Sequence, residues 1–350
     1  MGRKGADVSV KSIAGPNRVT TDPITAESSL LEARLREAVD QLPPALRLIS
    51  GYHFGWWDAA EKPVAGRGGK AMRAALVLTS AEAVGGSAQS ALPAAVAVEL
   101  VHNFSLLHDD VMDNDRTRRG RPAAWTVFGP SAAILAGDAM LALATNVVAS
   151  ADEGWSSIAV GWLSQSVVEL CEGQSDDLAF EKATTISRSR CERMVAGKTA
   201  SLISVSCALG ALAGEAGADR IEALRDFGRH LGMAFQFVDD LLGIWGDPLV
   251  TGKPAGADLM HRKKSLPVVA ALTSGTEAGA ELDRVYRSAG PVDPAVAAEL
   301  VECAGGRRWA AARADEELAS ALSRLTVAGC EEAPTTRLIE LAHRAVRRTA

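Results

Sequence analysis

The sequence predicts an all-α protein, and three observations support this prediction. Long Ala- and Leu-rich segments alternate with short breaks that contain Gly or Pro, and their apolar residues recur three and four residues apart, which is the period of a helix. No segment of useful length shows the strict alternation of a half-buried strand. Apolar residues make up 47% of the 350 residues and charged residues 23%, as in a globular protein with a substantial core.

The individual helices follow in order from these patterns. The first 24 residues are polar and aperiodic and are predicted to form a flexible tail, so that one domain runs from residue 25 to residue 350. A first helix begins near Ala26 and ends before Pro43-Pro44. Further helices are predicted at residues 71–84, 92–107, 132–148, 155–170, 188–213, 218–242 and 265–272. Residues 273–294 are the loosest stretch, and we expect a peripheral pair of helices after Asp293.

The charge and the cysteines exclude several classes of protein. Lys and Arg number 37 and Asp and Glu number 43, which gives a net charge of −6 and argues against nucleic acid as a partner. The five cysteines are scattered and form no CxxC pair, which predicts free thiols in a reducing compartment. The first 30 residues contain no secretory apolar segment. We therefore predict a cytoplasmic protein.

The longest apolar run, residues 131–150, is interpreted as a buried core helix. Asp138 lies in its middle, and an Asp at the centre of a bilayer costs about 2.5–3.5 kcal/mol. Much of the remaining run is Ala and Gly. The sequence therefore predicts no membrane span.

The segment from His108 to Asp115 closes a long apolar helix with carboxylates. Asp109 and Asp113 are four residues apart, so they share one helix face. Two carboxylates at a buried helix end are costly, and Mg²⁺ would offset that cost because it binds one or two carboxylates together with phosphate oxygens. A solvated acidic helix end is the alternative. An EF-hand is excluded, because Arg118 and Ala124 stand where Gly and Glu are needed.

Residues 235–243 close a second apolar helix, again with an Asp pair, Asp239 and Asp240. Basic and polar residues follow it: Thr251, Gly252, Lys253, Pro254, Asp258, Arg262, Lys263, Lys264 and Ser265. Two such helices that face each other could hold several metal ions between them. Neither segment has the spacing of a P-loop.

Two further segments carry isolated cations. Gly68-Gly69 precedes a predicted helix that opens with Lys70 and Arg73, an arrangement that suits a phosphate group. Lys198 stands in the otherwise small and apolar segment around Gly197-Lys198-Thr199, where a lysine that reaches out to solvent is the alternative. No Ser-His-Asp or Cys-His arrangement is present, so the predicted chemistry is electrostatic, with metal ions that draw charge off a leaving group.

In this order the motifs resemble those of trans-type isoprenyl diphosphate synthases, the polyprenyl synthetase family, and most of all bacterial geranylgeranyl or farnesyl diphosphate synthases. The matching segments are GGKxxR at 68–73, DDxxD at 109–113, RRGRP at 118–122, GQxxD at 173–177, GKT at 197–199 and FQxxDD at 235–240. The resemblance extends from about Leu30 to the C-terminus. It implies a helical bundle of the isoprenoid synthase type with a deep central cavity, usually assembled as a homodimer.

The resemblance also implies a role for each matched residue. Asp109 and Asp113 would bind two Mg²⁺ and Asp239 a third, and together with Lys198 they would be the catalytic residues. The allylic diphosphate would be held by Arg118, Lys198, Thr199, Gln236, Lys253 and Lys263, and isopentenyl diphosphate by Lys70, Arg73, His102 and Arg119. The implied reaction is head-to-tail prenyl transfer: diphosphate leaves the allylic substrate, the double bond of isopentenyl diphosphate attacks, and a proton is lost.

Two alternatives share this fold. A class I terpene cyclase pairs its Asp motif with Asn-x-x-x-Ser/Thr-x-x-x-Glu, but the nearest match, from Asn146 through Ser150, ends at Gly154. An inactive subunit is disfavoured by the intact basic residues. The second Asp motif departs from the family, because Gly243 stands in place of its third Asp. Asp239 can still bind metal, and Asp247 could supply additional charge nearby.

The residues before the first Asp motif bear on product length. Phe104 lies five residues before Asp109, which is roughly 7.5 Å along a helix, and Ser105 lies four residues before it. By the resemblance, a single aromatic ring at this place forms the floor of the cavity and implies geranylgeranyl diphosphate (C20) as the main product, with farnesyl diphosphate (C15) as the alternative. A ring that simply packs against a neighbouring helix is the structural alternative.

Overall fold

A computed structural model describes residues 23–64, 71–151, 153–247 and 256–346. The elements are α1 Pro23–Val39, α2 Pro44–Phe54, α3 Met72–Ala83, α4 Ala88–Met112, β1 Thr117–Arg118, β2 Arg121–Pro122, α5 Ala124–Phe128, α6 Pro130–Ala149, α7 Ser156–Lys182, α8 Arg188–Val195, a π-helical turn Ala196–Ala200, α9 Ser201–Ala213, α10 Ala218–Trp245, α11 Ala257–Met260, α12 Leu266–Leu272, α13 Glu277–Arg287, α14 Pro294–Cys303, α15 Gly306–Ala328 and α16 Glu332–Val346. The prediction of an all-α fold is confirmed. The predicted tail at 1–24 lies outside the described residues, except for Pro23 and Ile24, with which α1 begins.

The helix ends have local causes that are visible in the sequence. Pro44 opens α2, where the missing N–H costs nothing because the first turn of a helix has no partner for it. The Ser87 hydroxyl accepts a hydrogen bond from the Ser90 N–H at 3.1 Å and caps α4. The carboxylate of Asp293 accepts from the Ala295 N–H at 2.9 Å and caps α14. These caps set the start of the helices that carry and support the site.

The interior helices approach each other closely because small residues stand where they cross. A Cβ atom at Gly210 of α9 would lie 2.1 Å from the carbonyl oxygen of Val77 in α3. A Cβ atom at Gly228 of α10 would lie 2.6 Å from the carbonyl oxygen of Ile203 in α9. The three helices therefore touch through their backbones, and a larger residue at either glycine would force them apart. This packing fixes α10, which bears the second Asp motif, relative to the rest of the bundle.

The C-terminal helices correct the prediction of a peripheral pair. The described part after Asp293 holds three helices, and the longest of them, α15, packs along α10. Small side chains bury this contact, among them Ala310, Ala314 and Ala321. The His230 ring nitrogen Nδ1 lies 2.7 Å from a Glu317 carboxylate oxygen across the same interface. In the sequence these alanines indicate only that the segment is helical. Their role in the contact with α10 could not be predicted from them.

Three helical segments are long and apolar enough to cross a membrane by length and composition: Ala88–Met112, Pro130–Ala149 and Arg188–Ala213. The most apolar stretches of the first and third are 78% and 72% buried inside the fold. The corresponding stretch of the second, α6, is only 39% buried, and Leu135 on its surface is 58% exposed. The prediction of a buried core helix at residues 131–150 is therefore wrong for one face of α6, because no described element covers that face.

Candidate active site

The C-terminal end of α4 carries the first pair of predicted ligands. Asp109 lies in the last turn, and its carbonyl oxygen accepts the N–H of the C-cap residue Asp113 at 2.8 Å. Burial raises the pKa of the Asp109 carboxyl to about 6; the charge of Lys198 opposes the shift and that of Asp113 adds to it. Burial also raises the pKa of Asp113, although this side chain reaches solvent. The raised pKa values and the access of Asp113 to solvent describe two carboxylates that line a cleft. The protein only partly neutralises the negative charge of these carboxylates.

Asp110, which lies between Asp109 and Asp113 in the sequence, pairs with an arginine. Its side chain is 1% exposed, and Oδ1 accepts hydrogen bonds from both Nε and Nη2 of Arg118, the first at 2.9 Å. Burial raises the pKa of Asp110, and the bond from Arg118 acts against that shift. Asp110 therefore holds the guanidinium of Arg118 in place at the edge of the cleft.

A short hairpin presents the two predicted arginines. Strands β1 and β2 pair antiparallel with Arg118 opposite Arg121, and the two residues between them have positive φ, +54° at Arg119 and +74° at Gly120. This is the backbone of a type I′ turn, which Gly adopts freely and Arg does not. Strain of this kind is concentrated at functional sites. The turn points Arg119 away from Arg118, and its Nη2 donates to Oδ1 of Asn103 in α4 at 3.3 Å.

Arg119 there meets two further residues that were predicted to bind isopentenyl diphosphate. Nη1 of Arg73 lies 3.4 Å from Nε2 of His102. Burial, followed by the charges of Arg73 and Arg119, lowers the pKa of His102, so its ring is neutral at neutral pH. Buried Glu99 accepts the N–H of Ala74 at 3.1 Å and anchors the start of α3. The structure thus brings Arg73, His102 and Arg119 together, and Lys70 lies outside the described residues.

The predicted Lys198 stands in a π-helical turn, Ala196–Ala200, between α8 and α9. A Cβ atom at Gly173 of α7 would lie 2.3 Å from the Lys198 backbone nitrogen, and one at Gly197 would lie 2.6 Å from the Glu169 carbonyl oxygen. The two glycines therefore let α7 and the turn meet backbone to backbone. This contact places Asp177 of α7 beside Lys198, whose Nζ donates to Oδ2 of Asp177 at 2.7 Å. Such π turns are frequent at functional sites.

A chain of hydrogen bonds joins this turn to the second Asp motif. The hydroxyl of Thr199 donates to Oε1 of Gln236 at 2.8 Å, and Nε2 of Gln236 donates to Oδ1 of Asp240 at 2.8 Å. Oδ2 of Asp240 accepts the N–H of Leu266 at the start of α12, also at 2.8 Å. Burial raises the pKa of Asp240 to about 6. Thr199 and Gln236, both predicted to bind the allylic diphosphate, are thus engaged in fixing Asp240.

Lys263 faces the second Asp motif from the segment between α11 and α12. Burial opposes its charge, but the carboxylates of Asp258, Asp240 and Asp177 outweigh burial and raise the pKa of Lys263. Its side chain still reaches solvent, as a group inside an open cleft does. Asp239 is exposed and adds to the negative charge around Lys263. Lys253 lies outside the described residues.

The predicted floor residues lie on α4 below the carboxylates. Phe104 is 5% exposed, and its ring meets the ring of His108 edge to face at a centroid distance of 4.9 Å. Nε2 of His108 lies 2.9 Å from the carbonyl oxygen of Ile134 in α6. The hydroxyl of Ser105 donates to the carbonyl oxygen of His102 in its own helix at 2.8 Å. The Phe104 ring is therefore one half of an aromatic pair wedged between α4 and α6.

Three residues beside the predicted ones were not assigned a role from the sequence. Asp177 and Gln174 belong to a matched motif, so a signal was present, but only the packing of α7 shows what Asp177 contacts. Both side-chain polar atoms of Gln174 are buried, and neither has a hydrogen-bond partner among the described residues. Asp258 lies in the polar segment after α10, and no sequence signal distinguished it from its neighbours.

The donor set suits a hydrated divalent cation. Among the described residues, no three His, Cys, Asp or Glu side chains are grouped so that they could enclose a metal ion by themselves. Mg²⁺ does not require such a cage, because it takes one or two carboxylates and completes its shell with water and phosphate oxygens. The incompletely neutralised Asp109 and Asp113 on one helix, and Asp239 on another, provide such carboxylates. The residues present therefore fit Mg²⁺ bound together with a diphosphate.

The sequence pattern of the polyprenyl synthetase family matches residues 56–304, which include both Asp motifs and the hairpin. The chain belongs to the polyprenyl synthetase family. Members of this family use divalent metal ions and isoprenyl diphosphate substrates. The chain is accordingly a prenyltransferase, a trans-type prenyl diphosphate synthase.

Individual relatives agree on the reaction class and differ in the product. A (2E,6E)-farnesyl diphosphate synthase of Mycobacterium tuberculosis is 45% identical over 327 residues, which cover 92% of this chain and 91% of the relative. A geranylgeranyl diphosphate synthase of the same organism is 48% identical over 295 residues, 83% of this chain and 84% of the relative.

Solved structures of this polyprenyl synthetase family share the fold. A polyprenyl synthetase from Streptomyces coelicolor superimposes with a TM-score of 0.88 at 41% identity, over 92% of this chain and 98% of that one. A polyprenyl synthase from Caulobacter crescentus, solved with calcium and isoprenyl diphosphate, gives 0.81 at 27% identity, over 93% and 96%. The isoprenoid synthase architecture predicted from the motifs is thereby confirmed.

Proposed function

We propose that this prenyltransferase condenses isopentenyl diphosphate with an allylic diphosphate and releases geranylgeranyl diphosphate as its main product. The observation that carries the proposal is the division of the basic side chains, all of them cations except neutral His102, into two separate groups. Arg73, His102 and Arg119 form one group, and Lys198 with Lys263 lies beside the carboxylates. Two separate basic groups suit two diphosphate substrates, one of which lies next to the metal ligands.

Each group has a distinct task in this reaction. Lys198, Lys263 and Arg118 bind the allylic diphosphate, and Asp177 and Asp110 hold the first and last of these cations in position. Three Mg²⁺, held by Asp109, Asp113 and Asp239, would neutralise that diphosphate and draw charge off it as it leaves. The solved relative with calcium and isoprenyl diphosphate supports a metal-assisted site of this kind.

The second group orients the nucleophile. Arg119, Arg73 and neutral His102 hold isopentenyl diphosphate so that its double bond faces the allylic carbon. The carbon–oxygen bond of the allylic substrate breaks, a carbon–carbon bond forms, and a proton passes to the departing diphosphate. The apolar side chains of α4 and α6 exclude water, which would otherwise capture the allylic carbon.

The product length rests on the aromatic pair beneath the carboxylates. The Phe104 ring, braced by His108, lies roughly 7.5 Å before Asp109 along α4, and by the resemblance to the family a single aromatic ring at this place implies a C20 product. A farnesyl product is the second candidate, because a relative 45% identical over nearly the whole chain is a farnesyl diphosphate synthase. Replacing Phe104 with Ala should shift the products to C25 or longer. An unchanged product distribution would place the floor elsewhere.

We also propose that the enzyme is a cytoplasmic homodimer without a membrane span. Large apolar side chains are exposed on consecutive helices, Ile134 and Leu135 on α6 and Ile158 and Val168 on α7. A second copy of the chain would cover them, and uncovered patches of this kind mark interaction sites. The described cysteines are all free thiols, as in a reducing compartment.

The deciding experiment combines the purified protein with Mg²⁺, isopentenyl diphosphate and an allylic diphosphate, with a chelator as the control. A longer prenyl diphosphate that forms only with Mg²⁺ is the expected result, and its chromatographic length separates C20 from C15. A cyclic or linear hydrocarbon would instead indicate a terpene cyclase. No product with dimethylallyl, geranyl or farnesyl diphosphate would indicate an inactive subunit.

A further inference from the structure

The second Asp motif lacks a carboxylate at Gly243, and the space of that side chain is already filled. A Cβ atom at Gly243 would lie 2.2 Å from Oδ2 and 2.7 Å from Cγ of Asp258. Real Cβ atoms do not approach other atoms this closely, so no side chain fits at 243 while Asp258 keeps its position. The carboxylate of Asp258 therefore stands where a residue at 243 would begin its side chain.

Asp258 reaches this place from a different element. It belongs to the short helix α11, which packs against α10, and its carbonyl oxygen accepts the N–H of Lys263 at 2.8 Å. The same turn thus sets the position of both Asp258 and Lys263. Of the carboxylates around Lys263, Asp258 acts on it most strongly, ahead of Asp240. Tyr286 closes the cluster, and its hydroxyl donates to the carbonyl oxygen of Lys263 at 3.4 Å.

We propose that Asp258 replaces, from α11, the carboxylate that the second Asp motif lacks at Gly243, and that it positions Lys263 and the metal-bound water beside Asp239. This inference rests on the proposed function, because it assumes that a divalent cation and a diphosphate bind in the cleft. Gly243 and Asp258 are then a matched pair: the missing side chain in α10 makes room for the carboxylate from α11. Asp258 acts through Lys263 and through water, and is a positioning residue.

A purely structural role of Asp258 predicts different results from the proposed role in metal binding. If Asp258 only fixed the turn before Lys263, its loss would lower stability with or without metal, and a carboxylate returned at 243 would not help. If it supplies the missing charge, its loss weakens the response to Mg²⁺ specifically. A carboxylate moved to position 243 then restores that response, because both side chains deliver their charge to the same space.

The test moves the carboxylate from position 258 to position 243 and measures how far Mg²⁺ raises the melting temperature of each variant. Wild type, Asp258→Asn, Asp258→Ala, Gly243→Asp and the double variant Gly243→Asp/Asp258→Ala are titrated with Mg²⁺ in the presence of inorganic pyrophosphate, and far-UV circular dichroism verifies folding. Gly243→Asp alone should melt lower than wild type, since two carboxylates compete for one space. Asp258→Asn and Asp258→Ala should raise the half-saturating Mg²⁺ concentration about tenfold or more. The double variant should return to within about threefold of wild type.

Two results would overturn the inference. One is an unchanged Mg²⁺ midpoint in Asp258→Asn; the other is a folded double variant that responds no better than Asp258→Ala. The proposed function fails separately, if the wild-type protein itself shows no stabilisation by Mg²⁺ and pyrophosphate. We expect the kinetic parameters to follow the same pattern, with a raised requirement for Mg²⁺ in Asp258→Asn and Asp258→Ala and its recovery in the double variant.

Discussion

Asp110 and Asp115 both face Arg118 but differ in burial, which gives a direct test of the arginine's anchor. Asp110 is 1% exposed and bonds two guanidinium nitrogens, whereas Asp115 is 41% exposed and 3.9 Å away. Asp110→Ala should lower the free energy of unfolding by about 1–3 kcal/mol, because it leaves a half-buried cation without its partner, and should raise KM for the allylic substrate. Asp115→Ala should cost no more than about 0.5 kcal/mol. Urea unfolding and steady-state kinetics measure both, and equal effects of the two changes would contradict the assignment.

Asp109 combines its proposed catalytic role with a cost to stability. Its pKa is raised to about 6 in the folded protein, so the ionised carboxylate opposes folding at neutral pH, and this cost disappears as the pH falls through 6 toward 4. Asp109→Asn should therefore lower turnover by at least about a hundredfold and raise the melting temperature of the metal-free protein by a few degrees. Calorimetry in a chelator checks the second point. A lower melting temperature would mean that the carboxylate is structural.

His53 should make stability depend on pH with a defined sign. Burial, followed by the charges of Arg119 and Arg118, lowers its pKa to about 3. The unfolded chain then binds a proton below about pH 6.5 that the folded chain does not, so stability falls as the pH decreases, by about 2 kcal/mol between pH 8 and pH 5. The raised carboxyl pKa values of Asp109 and Asp240 act in the opposite direction.

The contribution of His53 is isolated by comparison with His53→Gln. Unfolding free energies of both proteins are measured from pH 8 to pH 5. The stability of wild type should decline relative to that of the variant over this range. Parallel curves would show that the ring takes up its proton in the folded state.

At the scale of elements, two glycines in neighbouring helices allow opposite predictions. A Cβ atom at Gly137 in α6 would lie 2.3 Å from Nε2 of His108, the ring that braces Phe104, whereas one at Gly161 in α7 meets nothing within 4 Å. Gly137→Ala should cost about 1–3 kcal/mol, because the His108 ring must move or α6 must shift. Gly161→Ala should stabilise by about 0.5–1 kcal/mol, because Ala is the better helix former. Thermal or urea unfolding measures the stability of both variants. If both variants were less stable than wild type, the close spacing of α4 and α6 at Gly137 would not explain the effect.

At the scale of the whole molecule, the open face of α6 provides a test of the proposed dimer. Leu135 is 58% exposed on this helix, and Val327, 68% exposed near the end of α15, is a matched control outside the proposed interface. Leu135→Glu should convert the dimer to a monomer, because a charge replaces apolar area that would be buried between two copies. Val327→Glu should leave the dimer intact. Light scattering on a size-exclusion column measures both, and a wild-type monomer would contradict the proposed dimer outright.

The helices themselves could be predicted because their cause is local. The long helices up to α10 match segments in which apolar residues recur with the helical period, and breaks occur at residues such as Pro43, which lies between α1 and α2. The predictions failed where they depended on knowing which other helix, if any, covers a given helix face. Leu135 on α6 is 58% exposed although leucine is more apolar than the alanines that α15 buries, so only packing shows which face is covered.

The sequence by itself determined the fold class, the family and the pairs of residues that share one turn. Asp109 and Asp113 are four residues apart on one helix, so their joint position follows from helix geometry alone. Only the tertiary structure showed that Asp110 holds Arg118, that Asp177 holds Lys198 and that Asp258 fills the space left at Gly243. The physical reason is that charge and steric contacts act over a few ångströms, and the chain brings such distant residues together only after the helices that carry them have packed.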